Sequence, residues 1–121
     1  MKELIRMPKQ YTDLIDQIFE IERKVDKIED ANSISRNLSK MKDIFENIGE
    51  TQSETGIGYT YHNPIGEPFN ETRLDLEASI AGTSTDDLVV IEVIKPIIRY
   101  KNGNSTVIAR KGVVVVESKK H

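Results

Sequence analysis

The first half of the chain has apolar residues at helical spacing and contains no helix breaker. Neither proline nor glycine occurs between Tyr11 and Ile48. Apolar side chains recur there at alternating intervals of three and four residues, which is the a/d spacing of a coiled-coil seam. Pro8 before the segment and Gly49 after it suit the start and the end of a helix. We expect the seam to consist of Leu14, Ile18, Ile21, Val25, Ile28, Leu38, Met41, Phe45 and Ile48.

The two halves of this seam are out of register with each other. From Ile28 through Ala31 to Ile34 the intervals are three and three, a stammer that locally overwinds a coiled coil. Asn32 lies at the slip, beside two serines, and these residue types prefer helix caps to helix interiors. Two interpretations follow: one continuous helix of about 40 residues, or two helices with a joint near Asn32. We favour the continuous helix.

A seam as narrow as this needs a partner helix, because the remaining sequence predicts β structure and offers no second long helix. The economical partner is a second copy of the chain, so we expect a homodimer. One alternative is a monomer whose helix folds over its own β domain, which needs a wider apolar face. Ile15, Phe19 and Ile44 widen the face to some degree, so a meeting of four helices is a further alternative.

The second half of the chain has the turn signals and the β-prone runs of a small β domain. The stretch Leu88–Tyr100 and the stretch Thr106–Val116 are rich in β-branched residues. Asn102-Gly103 between them is the signature of a type I′ turn, so the two runs predict a long antiparallel hairpin. Pro96 cannot donate to a ladder and marks an edge or a bulge. The four consecutive valines, Val113–Val116, indicate burial on both faces.

The expected fold is therefore α+β. It combines a long N-terminal α-helix that forms a coiled-coil homodimer with a small, mainly-β C-terminal domain that ends in a long hairpin. The expected boundaries are a helical dimerisation stalk over residues 1–49, a polar hinge over residues 50–55, and the β-rich domain over residues 56–121.

Composition and charge limit the functions open to such a chain. The chain has 121 residues, of which 37% are apolar and 6% aromatic, so its core must be small and aliphatic. It has no cysteine, which excludes disulfides and thiolate chemistry. No apolar run approaches the roughly 20 residues of a membrane span, and residues 1–10 lack the apolar core of a signal peptide. We expect a cytoplasmic protein without membrane contact.

No pattern in the sequence indicates catalysis. His62 is the one internal histidine, and no other ligand or base stands at a suitable spacing from it, so a surface or packing role is expected. Gly56-x-Gly58 lacks the third glycine and the context of a dinucleotide fingerprint. The acidic pair Asp86-Asp87 is typical of a solvated turn. We expect no enzyme, no cofactor and no metal site.

The net charge of −3 conceals a basic C-terminal quarter, in which seven lysines and arginines from Lys95 onward face one acid, Glu117. A basic hairpin can contact nucleic-acid phosphates. Nucleic acid is nevertheless an unlikely partner, because the strands offer few aromatic side chains for base stacking. A protein partner with an acidic cleft fits better, and protection of sheet edges by lysine and arginine is the alternative.

Two segments of the β half carry a family resemblance. Gly66-Glu67-Pro68-Phe69-Asn70 is similar to a G-x-P-F-D motif, and Ile108–Val116, after the turn at Asn102-Gly103, is similar to a terminal strand ending in R-P-A-M-V-V-V. These segments resemble the GrpE family, the nucleotide exchange factors of Hsp70 chaperones. A paired N-terminal helix followed by a β domain also agrees with the layout of that family.

The resemblance implies a cochaperone that promotes ADP release from an Hsp70-type ATPase by binding its open state. It implies that Arg110 contacts the partner, with Asn102, Gly103, Arg99 and Lys111 as further contacts. The sequence departs from the family where Leu74 or Leu76 stands in place of a histidine, and where Pro96-Ile97-Ile98 replaces K-G-Y. The alternatives are a homodimeric coiled-coil adaptor that presents the β domain to another protein, and a nucleic-acid-binding dimer.

Overall fold

The computed structural model describes residues 8–28, 32–50 and 56–119. Within these ranges the strands form two three-stranded sheets, with the orders β1-β4-β5 and β2-β6-β3. The chain divides into unit 1, made of Met1–Thr60 and Arg99–Ala109, and unit 2, made of Tyr61–Ile98 and Arg110–His121. The elements are α1 (Lys9–Val25), α2 (Asn32–Glu46), β1 (Ile57–His62), β2 (Leu76–Ala81), β3 (Leu88–Lys95), β4 (Ile97–Asn102), β5 (Ser105–Arg110) and β6 (Gly112–Ser118).

The expected continuous helix is wrong, and the long coiled-coil stalk does not form. α1 ends at Val25 and α2 begins at Asn32, so the interpretation with a joint near Asn32 agrees with the structure. The helix ends because the amides of Lys27 and Ile28 donate to Lys24 and Val25, three residues back, at 3.2 and 3.0 Å. Hydrogen bonds to the residue three positions back tighten the last turn of an α-helix and are typical of its C-terminal end. Ala31, in the middle of the stammer, and residues 51–55 of the expected hinge lie outside the described residues.

The two helices form an antiparallel hairpin in unit 1. The ring of Tyr11, in the first turn of α1, meets the ring of Phe45, in the last turn of α2, edge to face with centroids 5.9 Å apart. Glu22 of α1 forms an ion pair with Lys42 of α2. The buried apolar side chains are Ile15, Ile18, Phe19 and Val25 on α1 and Leu38 and Phe45 on α2. Within the described ranges, neither helix combines the length and the apolar character that a membrane crossing requires.

Glycine lets β1 pass close to the end of α2. A Cβ atom at Gly58 would lie 2.2 Å from the backbone oxygen of Glu46 and 2.3 Å from that of Phe45. Both atoms belong to the backbone and cannot turn away, so only glycine fits this approach. The carboxylate of Glu46 also accepts a hydrogen bond from the ammonium group of Lys101, at 2.8 Å.

In unit 2 the central strand is β6. It runs parallel to β2, from Leu76 opposite Gly112 to Ala81 opposite Glu117. It runs antiparallel to β3, with register shifts after Val90 and after Val93. Val114 and Val116 of β6 are fully buried, whereas Val113 and Val115 are half-buried. The central position of β6 accounts for its run of valines.

The two β-prone runs are each divided into two strands. The first becomes β3 and β4, separated by Pro96, and the second becomes β5 and β6, separated by Lys111. β3 pairs with β6 in one sheet, and β4 lies beside β5 in the other. The two runs therefore lie side by side as the hairpin prediction expected, but their pairing is divided between two sheets. The link between β4 and β5 is Gly103-Asn104, and only Gly103 has a positive φ, of 62°. A type I′ turn needs two such residues, so that predicted geometry is not adopted.

Candidate functional site

The residues expected to bind a partner are divided between the two units. Arg99, Asn102 and Gly103 belong to unit 1, and Arg110 and Lys111 belong to unit 2. Asn102 and Gly103 are exposed at the end of β4, and Arg99 is half-buried. We therefore describe the surface of each unit separately.

Arg110 holds the chain of unit 2 in place. Its Nη2 group donates to the backbone oxygen of Pro96 at 3.0 Å, and the side chain is partly buried. Lys111, the next residue, is exposed in the break between β5 and β6. A Cβ atom at Gly112 would lie 2.9 Å from the side chains of Ile97 and Leu76, so glycine allows tight packing there. Within Arg-Lys-Gly, the lysine is therefore the side chain presented to solvent.

The two segments that resemble the GrpE family attach to opposite edges of β3. β6, in the second segment, pairs with one edge. On the other edge, the amide of Gly66 donates to Val90, the amide of Val90 donates to Glu67, and the amide of Phe69 donates to Leu88, each at 2.9 Å. The sequence predicts a short strand or hairpin among turns over residues 56–68. It does not predict which strand this stretch pairs with, because the pairing of so short a segment has no local signal.

A chain of charged side chains fastens the loop between β1 and β2 in unit 2. Glu67 pairs with His62 and also accepts a hydrogen bond from Nη1 of Arg73 at 3.1 Å. Nε and Nη2 of Arg73 donate to the two carboxylate oxygens of Asp75 at 3.0 and 2.9 Å. The hydrogen bonds with Asp75 are the largest cause that raises the pKa of Arg73. His62 therefore contacts a carboxylate within a structural loop. Residues 8–28, 32–50 and 56–119 contain no group of three or more His, Asp or Glu side chains that could hold a metal ion.

Only every second position of the heptad seam is buried in unit 1. Ile18, Val25, Leu38 and Phe45 are buried. The intervening positions are open: Leu14 is 54% exposed, Ile21 40% and Ile34 42%, while Met41 is half-buried. Ile28 and Ile48, in the turns after each helix, are also exposed. We call Leu14, Ile21, Ile34 and Met41 the apolar stripe.

Helical geometry places the apolar stripe on one side of the hairpin. At about 100° per residue, Leu14 and Ile21 lie about 40° and 60° to one side of the buried Ile18. Ile34 and Met41 have the same offsets, in the same sense, from the buried Leu38. In an antiparallel pair, equal offsets from the facing positions fall on the same side. The Glu22–Lys42 ion pair supports this geometry, because both residues are offset by about 40° in the opposite sense.

Unit 1 also contains a recess lined by tyrosines. Tyr59 stands between Tyr11, at 5.8 Å between ring centroids, and Tyr100, at 5.4 Å. The recess has a volume of about 350 Å³ and is lined by these three rings, two glycines, Ile48, Ile57 and Asn102. Burial, more than the neighbouring phenols, raises the pKa of Tyr59. We call this cavity the aromatic recess. No local sequence pattern predicts the aromatic recess, because its three tyrosines come from α1, β1 and β4.

Comparison of the chain with protein-family models, with curated proteins and with solved structures gave no match.

Proposed function

We propose that the chain is a cochaperone that binds an Hsp70-type ATPase and promotes the release of its ADP, as the resemblance to the GrpE family implies. One observation supports the proposal above the others. The first segment and the part of the second segment that lies in β6 are separated by about forty residues in the sequence, yet both are hydrogen-bonded to β3. These two stretches therefore lie together within unit 2.

The proposed mechanism is conformational and requires no chemistry from this chain. A protein that binds the open form of an ATPase more tightly than its nucleotide-closed form shifts the population toward the open form. By linkage, nucleotide affinity then falls by the same factor. Lys111 is the contact in this proposal, because it is exposed. Arg110 is a positioning residue, because it is bound to Pro96. The proposal keeps the cytosol as the compartment, in line with a chain that has no cysteine.

The same proposal includes a homodimer that differs from the expected coiled coil. Two copies of the hairpin can cover each other's apolar stripe and form a bundle of four short helices. The stripe is suited to self-association, since its positions alternate with the buried positions of the same heptad seam. A two-fold axis would bring identical stripes together.

The test is the rate of ADP release from an Hsp70-type ATPase of the same cell, followed by stopped-flow with a fluorescent nucleotide. We expect acceleration by the unmodified chain. Lys111→Glu should reduce the acceleration about threefold to tenfold, because it reverses a rim charge. Lys40→Glu, an equal reversal on exposed α2, should leave it unchanged. An ATPase indifferent to the unmodified chain would refute exchange activity and favour an adaptor.

A further inference from the structure

The aromatic recess in unit 1 has the composition of a binding site. Its rings are held rigidly, because Tyr11 packs edge-on against both Phe45 and Tyr59, at interplanar angles of 77° and 73°. Tyr100 continues the row at 54° to Tyr59. Edge-to-face packing of this kind fixes ring orientation. The recess therefore exists before any ligand arrives, which lowers the entropic cost of binding.

The groups around the aromatic recess are hydrogen-bond donors without charge. No lining residue is a lysine, arginine, aspartate or glutamate. The three phenol hydroxyls and the Asn102 amide supply donors, and no residue in the described part of the chain accepts a hydrogen bond from them. A phenol with the ordinary pKa of 10.0 is protonated at neutral pH, and burial raises the pKa of Tyr59 further, so its hydroxyl is a donor. The recess is thus suited to an apolar ligand with unpaired acceptors.

We propose that the aromatic recess binds a proline-rich segment of another protein in the polyproline II conformation. Such a segment presents apolar rings and solvated backbone carbonyls, and its prolines have no N–H group that needs a partner. Grooves lined by aromatic side chains recognise it in this way in several domain families. At about 350 Å³ the recess is near the lower limit for ligand sites, so it accommodates a short motif.

Charged ligands fit the aromatic recess less well. A phosphate or carboxylate would find no cationic side chain among the lining residues. A quaternary ammonium group prefers ring faces arranged around it. Here the tyrosine rings of the recess contact one another in a row, with centroids 5.8 and 5.4 Å apart, so they do not enclose such a group. A neutral, acceptor-rich segment remains the best complement to the recess.

The test is a titration of the full chain with a decaproline peptide. The chain has four tyrosines and no tryptophan, so intrinsic tyrosine fluorescence reports directly on the recess. We expect saturable binding that Tyr100→Phe weakens about threefold to tenfold, through the loss of one hydrogen bond, and that Asn102→Ala weakens by a similar factor. Tyr61→Phe, outside the lining, is the matched control and should bind like the unmodified chain.

Two results would overturn the proposal, provided that circular dichroism shows the variants to be folded. The first is the absence of saturable binding of decaproline to the unmodified chain, or equal binding of a flexible glycine-serine peptide of the same length. The second is a tyrosine response to tetramethylammonium but not to decaproline, which would assign the aromatic recess to cations. Neither result depends on ADP release, so this proposal and the proposed function fail independently.

Discussion

At the scale of single residues, contacts with other parts of the chain determine the roles of Gly58 and Arg110 more than hydropathy does. In the sequence Gly58 looks like an ordinary turn glycine, yet it lies where a Cβ atom would collide with two backbone oxygens of α2. Arg110 looks like a free cation in the sequence, but it donates to Pro96. In both cases the role depends on an atom far away along the chain, so no local pattern could have predicted it.

Gly58→Ala should destabilise the fold. The added methyl group would meet the oxygen of Glu46 at 2.2 Å, and backbone must shift to relieve the contact. We expect the free energy of unfolding in urea to fall by about 1–3 kcal/mol, which is typical of overpacking. Ser79→Ala, at an exposed strand position, should change it by less than about 0.5 kcal/mol. Equal stability of Gly58→Ala and the unmodified chain would show that α2 and β1 are not this close.

Alkaline pH should lower the free energy of unfolding, because the Tyr59 hydroxyl loses its proton more readily in the unfolded chain. Burial raises its pKa in the folded chain above the ordinary value of 10.0. As the pH rises through 10, the unfolded chain loses this proton first, so the free energy of unfolding falls. Below that pH the residue contributes no pH dependence. Urea unfolding between pH 8 and 11 should show a shallower decline for Tyr59→Phe than for Tyr61→Phe. Identical slopes for the two variants would contradict the assignment to Tyr59.

At the scale of elements, the heptad pattern predicted helices correctly but predicted the wrong length, one continuous helix in place of two short ones. Spacing shows which positions are apolar and says nothing about what covers them. Here every second position of the seam is buried within the chain, and the positions between them are partly or largely exposed. The stammer and Asn32 indicated a joint between two helices. The absence of proline and glycine indicated a continuous helix, and that interpretation was favoured. In the β half, Pro96 marked the strand break, but the exchange of sheets at that point depends on long-range pairing.

The apolar stripe should mediate association of two copies. Ile21→Lys places a charge in the stripe and should convert a dimer into a monomer. Ile80→Lys is the matched control, because Ile80 is 44% exposed, close to the 40% of Ile21, but belongs to β2 and not to the helices. Sedimentation equilibrium at about 10–100 µM should give the mass of a dimer for the unmodified chain and for Ile80→Lys. A monomer mass for all three chains would remove the dimer from the proposal.

At the scale of the whole molecule, charge argues against nucleic acid as a partner. The net charge is −3, and two cations of the basic C-terminal quarter are held by contacts within the chain. Lys101 pairs with Glu46, and Arg110 donates to Pro96. Among the described residues of this quarter, Lys95, Lys111 and Lys119 are exposed. Three phosphate contacts give a salt slope of only about −3, which corresponds to weak, non-specific binding.

Fluorescence anisotropy with a labelled DNA duplex of about 20 base pairs and a labelled single-stranded RNA of about 20 nucleotides measures the affinity for nucleic acid directly. At 150 mM salt we expect no saturation up to about 100 µM protein, because so few contacts cannot offset the repulsion between an acidic chain and a polyanion. Lys111→Glu should then leave the DNA and RNA titrations unchanged while it slows ADP release from the ATPase. A dissociation constant below about 1 µM with a salt slope steeper than about −5 would instead require a cationic surface that neither unit presents in its described residues, and the cochaperone proposal would lose its basis in charge.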